Sequence, residues 1–537
     1  MQIVATCVLL GEYPTIRYYD APSATHEAKV LCKFLAGLVQ KEIDKYATYH
    51  NDFPPASARP RAALYILDRS LDLFAPVLHE FTYQAMVHDL LPIKDGDQTA
   101  YKVTINEGRA DQEQKEVIFG EKDKIWLANR HKHMKDTIER LMGDFQKFLD
   151  DNPHYNNPTS GNDANSLNII RDMMIGLPQF QEMKEAYSLH LTMAQESMNA
   201  FQGRKLADLA TIEQSLATGL DEEYKKPKHV ADQLVRMLDD GSVGLPDRLR
   251  LIILYLLYRD GLLQSDTSML LAHAGLPPKD FDILENLSLL GANVSRGLKD
   301  ARPQSQPLFA RKQAPSNLQD DYSLSRFEPV LKQLLKAHTA GTLDEDIFPY
   351  TKPQLEAPDA NGVDTASRTS LRSAKPTWAK TRANMNEPKQ RVMVFMAGGA
   401  TYSESRASAE TTIETNKDVY LLTSHMLTPN LFIRQLSDLS VDRRKLGIPA
   451  DQPPRQTPAH AFEDDSFSVP KPPPHNAAKS AQLTSQIANL SLSQNGAQRL
   501  ADKPGQQPRP PPSSRDTKSY ATKDAEKKKG FGIFSKK

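Results

Sequence analysis

The segment from Ala63 to Ile93, with the sequence ALYILDRSLDLFAPVLHEFTYQAMVHDLLPI, constrains the fold more than any other part of the chain. Residues 63–67 are apolar and are bounded by charged residues, which predicts a buried strand. Asp68 and Arg69 follow, and a long helix-like stretch then ends at Leu90-Leu91-Pro92. A buried strand that leads through an acidic turn into a helix is typical of an α/β domain with a parallel sheet.

The bulk composition excludes several classes of protein. At 537 residues the chain is too long for a single hydrophobic core, so we predict about two to four domains. Lys+Arg and Asp+Glu both number 67, so the formal net charge is zero and no nucleic-acid partner is expected. The two cysteines, Cys7 and Cys32, give no disulfide framework and fit a reducing cytoplasm.

Two apolar segments could meet a membrane, and neither has the required pattern. Residues 251–257 are an apolar run of about seven residues, whereas a membrane-spanning helix needs roughly 20. Residues 3–10 lack the basic flank and the cleavage site of a signal peptide. We therefore predict a core helix at 251–257 and a buried strand at Ile3–Leu10, both in a soluble protein.

Strand-like and helix-like segments alternate at both ends of the chain. Ile3–Leu10 and Ala63–Leu67 are strand-like, and Ala28–Tyr46 between them carries apolar residues at helical spacing. Strand-like patterns return far downstream, at Val392–Met396 and Val419–Leu422. Because the intervening sequence is mostly helical, we predict a split parallel-sheet α/β domain that is assembled from both ends of the chain and carries an inserted, mainly helical domain.

These patterns predict the domain boundaries. We assign residues 1–122 and 391–450 to the two parts of the α/β domain, 123–240 to a helical domain with a hairpin and a hinge, 241–350 to a second helical subdomain, and 351–390 to a polar loop. Residues 451–537 are rich in proline and polar residues. They cannot bury enough apolar surface to offset an ordering entropy of roughly 1–2 kcal/mol per residue, so we predict a disordered C-terminal tail.

Short motifs spread over residues 1–440 resemble the Sec/Munc (SM) family, the syntaxin-binding proteins of SNARE-mediated vesicle fusion. The match is close to the exocytic branch of the family, through VLHE at 77–80 and DLLPI at 89–93. Further motifs of the family are IWL at 125–127, RHKH at 130–133, YSLSRF at 322–327, FPY at 348–350, VFMAGGATYSE at 394–404 and SHMLTP at 424–429.

The resemblance implies an arch built of an N-terminal α/β domain, a split middle α/β domain and a helical third domain inserted into the middle one. It begins at residues 3–18, where the middle domain of the family begins. We therefore expect an SM-type arch that lacks its first domain, which in the family supplies much of the grip on the syntaxin-type SNARE.

The resemblance also implies a SNARE-binding regulator that promotes vesicle docking and membrane fusion in exocytosis. The expected partners are a syntaxin-type SNARE, a vesicle SNARE and the assembled SNARE bundle. We expect a monomer that is not an enzyme and needs neither a cofactor nor a metal. Its expected location is the cytoplasm, in peripheral association with the plasma membrane or secretory vesicles.

Residues of the helical domain align with functional positions of the family. Leu141, Met142 and Leu191 align with partner-binding positions, although the family has Leu where Met142 stands. Apolar residues on amphipathic helices also suit a core, so a packing role stays open. Pro178 aligns with the hinge proline, and residues 152–166 would form the hairpin tip. A proline inside a helix costs about 3 kcal/mol or more, which brings bent and straight forms near balance. A static kink or a helix start is the alternative.

The C-terminal sequence interleaves lysines with aromatic residues. Basic side chains gain about 1 kcal/mol per lysine near an anionic leaflet, and aromatic side chains insert at its surface. We predict a weak membrane contact. The alternative is a tail that only increases the solubility of the protein. The contact residues are Lys527, Lys528, Lys529, Phe531 and Phe534.

Three arrangements invite a catalytic or ligand-binding interpretation. Gly398-Gly399 lies between a strand and a helical run, so the alternative function is an α/β enzyme or nucleotide-binding protein that uses this turn. However, neither G-x-G-x-x-G nor P-loop spacing occurs there. His131 and His133 do not share a helix face, which predicts a solvated basic helix surface. Asp68 and Arg69 are predicted to form a buried or half-buried ion pair.

Overall fold

The computed structural model describes residues 2–21, 29–94, 99–105, 113–152, 167–300, 307–309, 322–353 and 388–447. All of the described residues belong to one compact unit, Met1–Gln452. The predicted tail, and most of the predicted polar loop at 351–390, lie outside the described residues.

Strands concentrate at both ends of the described chain, and helices dominate its middle. The strands are β1 Thr15–Tyr18, β2 Ala63–Asp68, β3 Thr99–Ile105, β4 Glu113–Phe119, β5 Gln390–Ala397, β6 Ala400–Thr401, β7 Lys417–Thr423 and β8 Met426–Leu427. The helices are α1 Gln2–Leu9, α2 Lys29–Tyr49, α3 Tyr83–Leu90, α4 Lys124–Asn129, α5 Met134–Asp151, α6 Leu167–Gly203, α7 Leu206–Thr218, α8 Val230–Asp239, α9 Leu245–Arg259, α10 Gln264–His273, α11 Asp280–Asn286, α12 Val330–Ala340, α13 Tyr402–Glu414 and α14 Pro429–Asp438.

The central sheet contains four parallel strands in the order β1-β2-β5-β7. Strand β2 lies beside β5 along its whole length, from Ala63 opposite Val392 to Asp68 opposite Ala397. Residues from the two ends of the described chain are therefore neighbours in one sheet. This pairing confirms the predicted split α/β fold.

Helices cover both faces of this sheet. Leu64 and Ile66 of β2 face the core that α1 and α2 complete, whereas Tyr65 and Leu67 face the core that α12 completes. This alternation is the two-residue period of a strand. All six residues of β2 are buried, as is typical of a central strand in a parallel sheet.

The strand predicted at Ile3–Leu10 is wrong, because Gln2–Leu9 forms helix α1. Its three buried residues follow helical spacing, but an apolar run this short does not distinguish a buried strand from a buried helix. The helix ends at Leu9, and Gly11, with a φ of +66°, lets its own N–H and that of Glu12 bond back to carbonyl oxygens of the last turn. The first strand of the sheet is Thr15–Tyr18 instead.

The sequence His131-Lys132-His133 is not the solvated helix surface that we predicted. The helical stretch breaks there into α4 and α5, and both histidines are only partly exposed. The carbonyl oxygens of Arg130 and Lys132 accept hydrogen bonds from the first two N–H groups of α3. Because those N–H groups have no partner within their own helix, this contact accounts for the break.

The segment after β2 contains less α-helix than its sequence predicted. A 3₁₀ turn covers Arg69–Leu71, and only Tyr83–Leu90 is α-helical. Asp72 holds the chain out of a helix, because its side chain accepts hydrogen bonds from the N–H groups of Phe74 and Ala75. The β3–β4 hairpin, which is antiparallel, was not predicted either, since its polar sequence lacks the apolar alternation of a half-buried strand.

Helices α6 to α11 pack around one large apolar core. Helix α9 lies within it, and residues 251–254 have no exposed surface. The core helix predicted at 251–257 is confirmed as part of α9. Apolar side chains from the segment 77–91 belong to the same core. Across the described ranges, no helix has both the length and the apolar character that a bilayer crossing requires.

Candidate functional site

The candidate partner-binding residues lie on an antiparallel hairpin of α5 and α6. Aromatic side chains hold the two helices together. The ring centroids of Phe148 and Phe180 are 5.1 Å apart, and those of Phe145 and Tyr187 are 5.6 Å apart. Pairs at such distances contribute about 0.5–1.5 kcal/mol beyond their buried area. The described part of the hairpin is therefore a packed unit.

Leu141 and Leu191 lie at the same level of this hairpin. The contact between Phe145 and Tyr187 sets the register, and one helical turn along each antiparallel helix leads to Leu141 and Leu191. Leu141 is fully buried and Leu191 is half-buried, whereas the side chain of Met142 is 60% exposed. The structure thus places the three residues at about the same level of the hairpin, with Leu141 buried, Leu191 half-buried and Met142 exposed.

Pro178 lies well inside α6, which begins at Leu167. The alternative that it starts a helix is therefore wrong. An interior proline leaves one carbonyl of the preceding turn without its helical donor. Just beyond it, Phe180 is buried against α5. The hinge role stays a prediction, and the predicted hairpin tip beyond Asn152 lies outside the described residues.

A buried chain of hydrogen bonds fixes α6 next to Leu191. Nδ1 of His190 lies 2.8 Å from the hydroxyl of Tyr83, and Nε2 lies 2.8 Å from Oδ2 of Asp123. His190 has no exposed surface. Asp123 also accepts hydrogen bonds from the first N–H groups of α4 and so caps that helix. Helices α3, α4 and α6 are therefore joined by one hydrogen-bond network.

Electrostatics within this network keep Asp123 charged and Tyr83 neutral. Burial alone would raise the pKa of Asp123, but the hydrogen bonds from His190 and from the N–H groups of α4 lower it below its usual value. Burial raises the pKa of Tyr83 well above its usual value, and the nearby Asp123 carboxylate adds to this shift. The carboxylate is thus available as the permanent acceptor for Nε2–H of His190.

Aromatic packing supports the same region. The ring of Trp126 lies 4.8 Å from that of Phe119 and 5.3 Å from that of Tyr83. The hydroxyl of Tyr101 donates a hydrogen bond to Glu196 of α6. The β3–β4 hairpin is therefore attached to both α4 and α6. No sequence pattern predicted these contacts, although an Asp before an apolar stretch is a signal for the start of a helix such as α4.

A buried charge cluster joins the segment after β2 to the helical core. It consists of His79, Asp89, Glu213, Asp247 and Arg250. Nδ1 of His79 lies 2.8 Å from Glu213, and Arg250 lies 3.0 Å from Asp89. Burial and Arg250 would lower the pKa of His79, but Glu213 and Asp247 outweigh them and raise it to about 9. The imidazolium form therefore connects this segment to α7 and α9.

The protein itself fills the Gly398-Gly399 turn. Gly399 has a φ of +93°, and a Cβ there would lie 2.6 Å from Cγ of Leu427 and 2.7 Å from Nε2 of His425. Helix α13 follows, and Thr401 and Glu404 close its N-terminus as a capping box. These side chains occupy the place that a phosphate would take at a helix N-terminus. The turn therefore does not support a nucleotide site.

The predicted Asp68–Arg69 ion pair is wrong, because Arg69 pairs with Glu404. Its two terminal nitrogens lie 2.6 and 2.9 Å from the carboxylate oxygens of Glu404, and both side chains are buried. Asp68 instead accepts hydrogen bonds from the N–H of Ser70 at 2.9 Å and from Sγ of Cys32 at 3.3 Å. Successive residues at a strand end point to opposite faces, which separates the two side chains.

The remaining candidate residues add no further site. Within the described parts of the chain, no cluster of three potential metal ligands occurs. His133 caps α5 by accepting a hydrogen bond from the N–H of Lys135. Burial, reinforced by Arg130, lowers the pKa of His131 to about 4. The predicted membrane-contact residues of the tail lie outside the described residues.

Comparison with known proteins identifies the family. Residues 1–435 match the Sec1 family. Protein transport protein sec1 of Schizosaccharomyces pombe is 35% identical, over 99% of this chain and 76% of the relative. Protein transport protein sec1 of Dictyostelium discoideum is 32% identical, over 82% and 70%. The solved Unc18–syntaxin 1 complex from Monosiga brevicollis matches with a TM-score of 0.63 at 25% identity, over 82% of this chain and 70% of that chain. The chain therefore belongs to the Sec1 family.

Proposed function

We propose that this chain is a SNARE-binding regulator that promotes vesicle docking and membrane fusion in exocytosis. The observation that carries the proposal is family membership along residues 1–435, together with 35% identity to a relative named for protein transport. The fold supports it, since a structural neighbour with a TM-score of 0.63 is an Unc18 protein in complex with syntaxin 1. The partners are a syntaxin-type SNARE, a vesicle SNARE and the assembled SNARE bundle.

The hairpin of α5 and α6 supplies the surface for a SNARE helix. Large apolar side chains are exposed along it: Met142 by 60%, Leu177 by 42% and Met183 by 38%. Leu191 adds a half-buried side chain at the level of Met142. An amphipathic helix binds by placing its apolar face on such residues, and the flexible methionine side chains adapt to it. Leu141 supports this surface from beneath.

Pro178 acts as the hinge of this surface. It interrupts the hydrogen bonding of α6 in the helix interior, while the aromatic contact between Phe148 and Phe180 fixes the part of α6 that follows it. Bending at the proline therefore moves the preceding part of α6 relative to α5. The hairpin then presents a shorter or a longer surface to the SNARE helix.

The chain acts by binding and not by catalysis. Its own side chains fill the Gly398-Gly399 turn. The buried imidazoles of His79 and His190 are bound to carboxylates within the protein. We place the chain in the cytoplasm, at the surface of the plasma membrane or of secretory vesicles, where the basic and aromatic end of the tail contacts anionic lipid.

Lipid mixing in a reconstituted system tests the proposal. One set of vesicles carries the vesicle SNARE and the other carries the syntaxin-type SNARE with its partners. The purified chain should raise the initial rate of lipid mixing in a dose-dependent manner, and it should have no effect on vesicles without SNAREs. A rate that stays at the level of the SNAREs alone at every concentration of the chain contradicts the proposal.

A further inference from the structure

A cavity of about 370 Å³ lies where the α/β sheet meets the helical core. The segment that follows the carboxyl end of β2, from Ser70 to Phe74, forms one wall. The ends of α7 and α9 form the second wall, and the start of α12 forms the third. Cavities of about 300–1,000 Å³ at domain junctions and beyond the carboxyl ends of parallel strands are where small ligands bind.

The wall of this cavity is mainly apolar and incompletely covered. Phe74, Leu257, Phe327 and Val330 line it, and all four side chains are half-buried. The first three flank the helical core, and Val330 flanks the core between the sheet and α12. The rings of Phe74 and Phe327 lie side by side, with centroids 6.5 Å apart. An apolar group placed here would remove these side chains from water, which is favourable by about 25 cal/mol per Å² of apolar surface buried.

The buried polar groups of the wall are engaged by the protein itself. Asp72 accepts hydrogen bonds from three backbone N–H groups, the third being that of Val330. Nε of Arg326 donates to the carbonyl oxygen of Ser323, and its guanidinium also bonds to the carbonyl oxygen of Leu220. Recognition of a ligand must therefore rest chiefly on the apolar wall.

An anionic ligand would lack a cationic partner among the described lining residues. The one guanidinium there, that of Arg326, is bonded to backbone carbonyl oxygens. Three carboxylates, Asp72, Asp260 and Glu328, also line the cavity, and Glu328 is paired with Lys332 and Lys336. A buried anion without a partner is strongly disfavoured. The cavity thus discriminates by charge as well as by size.

We propose that this cavity is a binding site for a small apolar molecule that carries no negative charge. Such a ligand would touch the segment after β2, α7, α9 and α12 at once. Because it binds the folded chain and not the unfolded chain, it stabilises the junction between the sheet and the helical core.

Binding is tested on the full chain with three probes that share one alkyl tail. They are decanol, used below its solubility limit, and decylammonium and decanoate, each used below its micelle concentration. Calorimetry should show one-to-one saturation by decanol and by decylammonium. Decanoate should bind at least about tenfold more weakly than either. The melting temperature should rise by about 2 °C or more at saturation.

Two substitutions that fill the cavity locate the site. Ala217→Trp on α7 and Gln333→Trp on α12 place an indole at two different walls. Both should abolish probe binding, whereas Ala272→Trp at an exposed position of α10 should not. The melting temperature without probe shows whether each variant folds, and one-to-one saturation of the unsubstituted chain carries the test if a variant misfolds.

Two results overturn this site. One is that neither decanol nor decylammonium shows saturable binding. The other is probe binding that both filling variants leave intact. If no probe binds while Ala217→Trp weakens binding of the SNARE bundle, the cavity receives a side chain of a protein partner instead, and the small-molecule site is wrong.

Discussion

Phe148 of α5 stacks on Phe180 of α6, with ring centroids 5.1 Å apart and ring planes inclined by 18°. Phe180 is buried and lies on the turn that follows Pro178. The two rings therefore fix α6 to α5 directly beyond the proline. Any change of angle at Pro178 must displace the part of α6 that precedes it.

Replacing the proline should strengthen α6. Pro178→Ala restores an interior hydrogen bond, and proline costs about 3 kcal/mol relative to alanine in a helix interior. Slower amide hydrogen exchange in α6 and a higher melting temperature are expected. If Pro178 is a hinge, the straighter helix presents a longer surface and the affinity for the vesicle SNARE rises.

A matched control is Pro246→Ala, since Pro246 lies in the first turn of α9, where proline is harmless. It should leave SNARE affinity unchanged. A more stable Pro178→Ala variant with unaltered SNARE affinity would show that the proline is a static feature of α6.

The network around His190 should be a major source of stability for the base of the hairpin. His190→Ala removes the side-chain bonds to Tyr83 and Asp123 and leaves the Tyr83 hydroxyl with only a long bond, 3.4 Å, to the backbone carbonyl oxygen at position 190, at about 1–3 kcal/mol for each lost interaction. Tyr83→Phe removes only one hydroxyl and should cost about 1 kcal/mol. Urea denaturation measures both. Equal costs for the two variants would mean that the contact with Asp123 contributes nothing.

Stability should decline at alkaline pH through His79. Its pKa is raised from 6.5 to about 9 by Glu213 and Asp247, against burial and Arg250. A raised pKa stabilises the folded state fully below about pH 6.5, and this contribution is lost as the pH rises through about 9. The loss is on the order of 3 kcal/mol. Melting temperatures across this range check it.

The variant His79→Gln should be less stable near neutral pH and should lack this alkaline decline. At acid pH, folding stability changes with pH in the opposite direction. The pKa of Glu213 is lowered because His79 outweighs the effect of burial, so its contribution is present above about pH 4.5 and is lost as the pH falls further. An alkaline decline of the same size in His79→Gln would assign the effect to another group.

The two glycines after β5 should differ in their tolerance of alanine. At Gly399 a Cβ would clash with Leu427 and His425, whereas at Gly398 the nearest atom is Cβ of Arg69 at 3.4 Å. Both have positive φ, which costs about 1–3 kcal/mol for a residue other than glycine. Gly399→Ala should therefore destabilise the protein more than Gly398→Ala in chemical denaturation. Equal losses would show that backbone strain alone matters.

The basic end of the tail should bind anionic membranes. Deletion of residues 523–537 removes Lys527–Lys529 with Phe531 and Phe534, and each lysine is worth about 1 kcal/mol near an anionic leaflet. Liposome flotation at low salt should show a large loss of binding to anionic vesicles and no change with neutral ones. Unchanged binding to anionic vesicles would mean that the tail does not contact the membrane and only increases solubility.

The sequence was informative where a pattern is local and unambiguous. The wholly apolar Ala63–Leu67 predicted a central parallel strand, and the return of a strand-like pattern at Val392–Met396 predicted that both ends of the chain share one α/β domain. The run at Ile3–Leu10 misled because a short apolar segment fits a buried helix as well as a buried strand. Its helical spacing of buried residues became visible only in the structure.

Sequence patterns did not predict side-chain contacts between residues that are far apart in the chain. Arg69 pairs with Glu404 rather than with its neighbour Asp68, and nothing local to either residue signals a partner at the far end of the chain. The same is true of His190, whose three-residue network joins separate helices. The burial of Leu141 beside the exposed Met142 likewise depends on how α5 faces α6.

Calorimetric titration with the assembled SNARE bundle measures SNARE binding through the hairpin. The chain is compared with Met142→Arg and with Met269→Arg, since Met269 is similarly exposed, at 63%, but lies on α10 outside the hairpin. We predict that the chain and Met269→Arg bind the bundle equally. Met142→Arg should bind at least about tenfold more weakly, a loss of about 1.4 kcal/mol of binding free energy. Its melting temperature should be unchanged. No binding by the unsubstituted chain, or equal binding by all three proteins, would show that the hairpin is not the SNARE-binding surface.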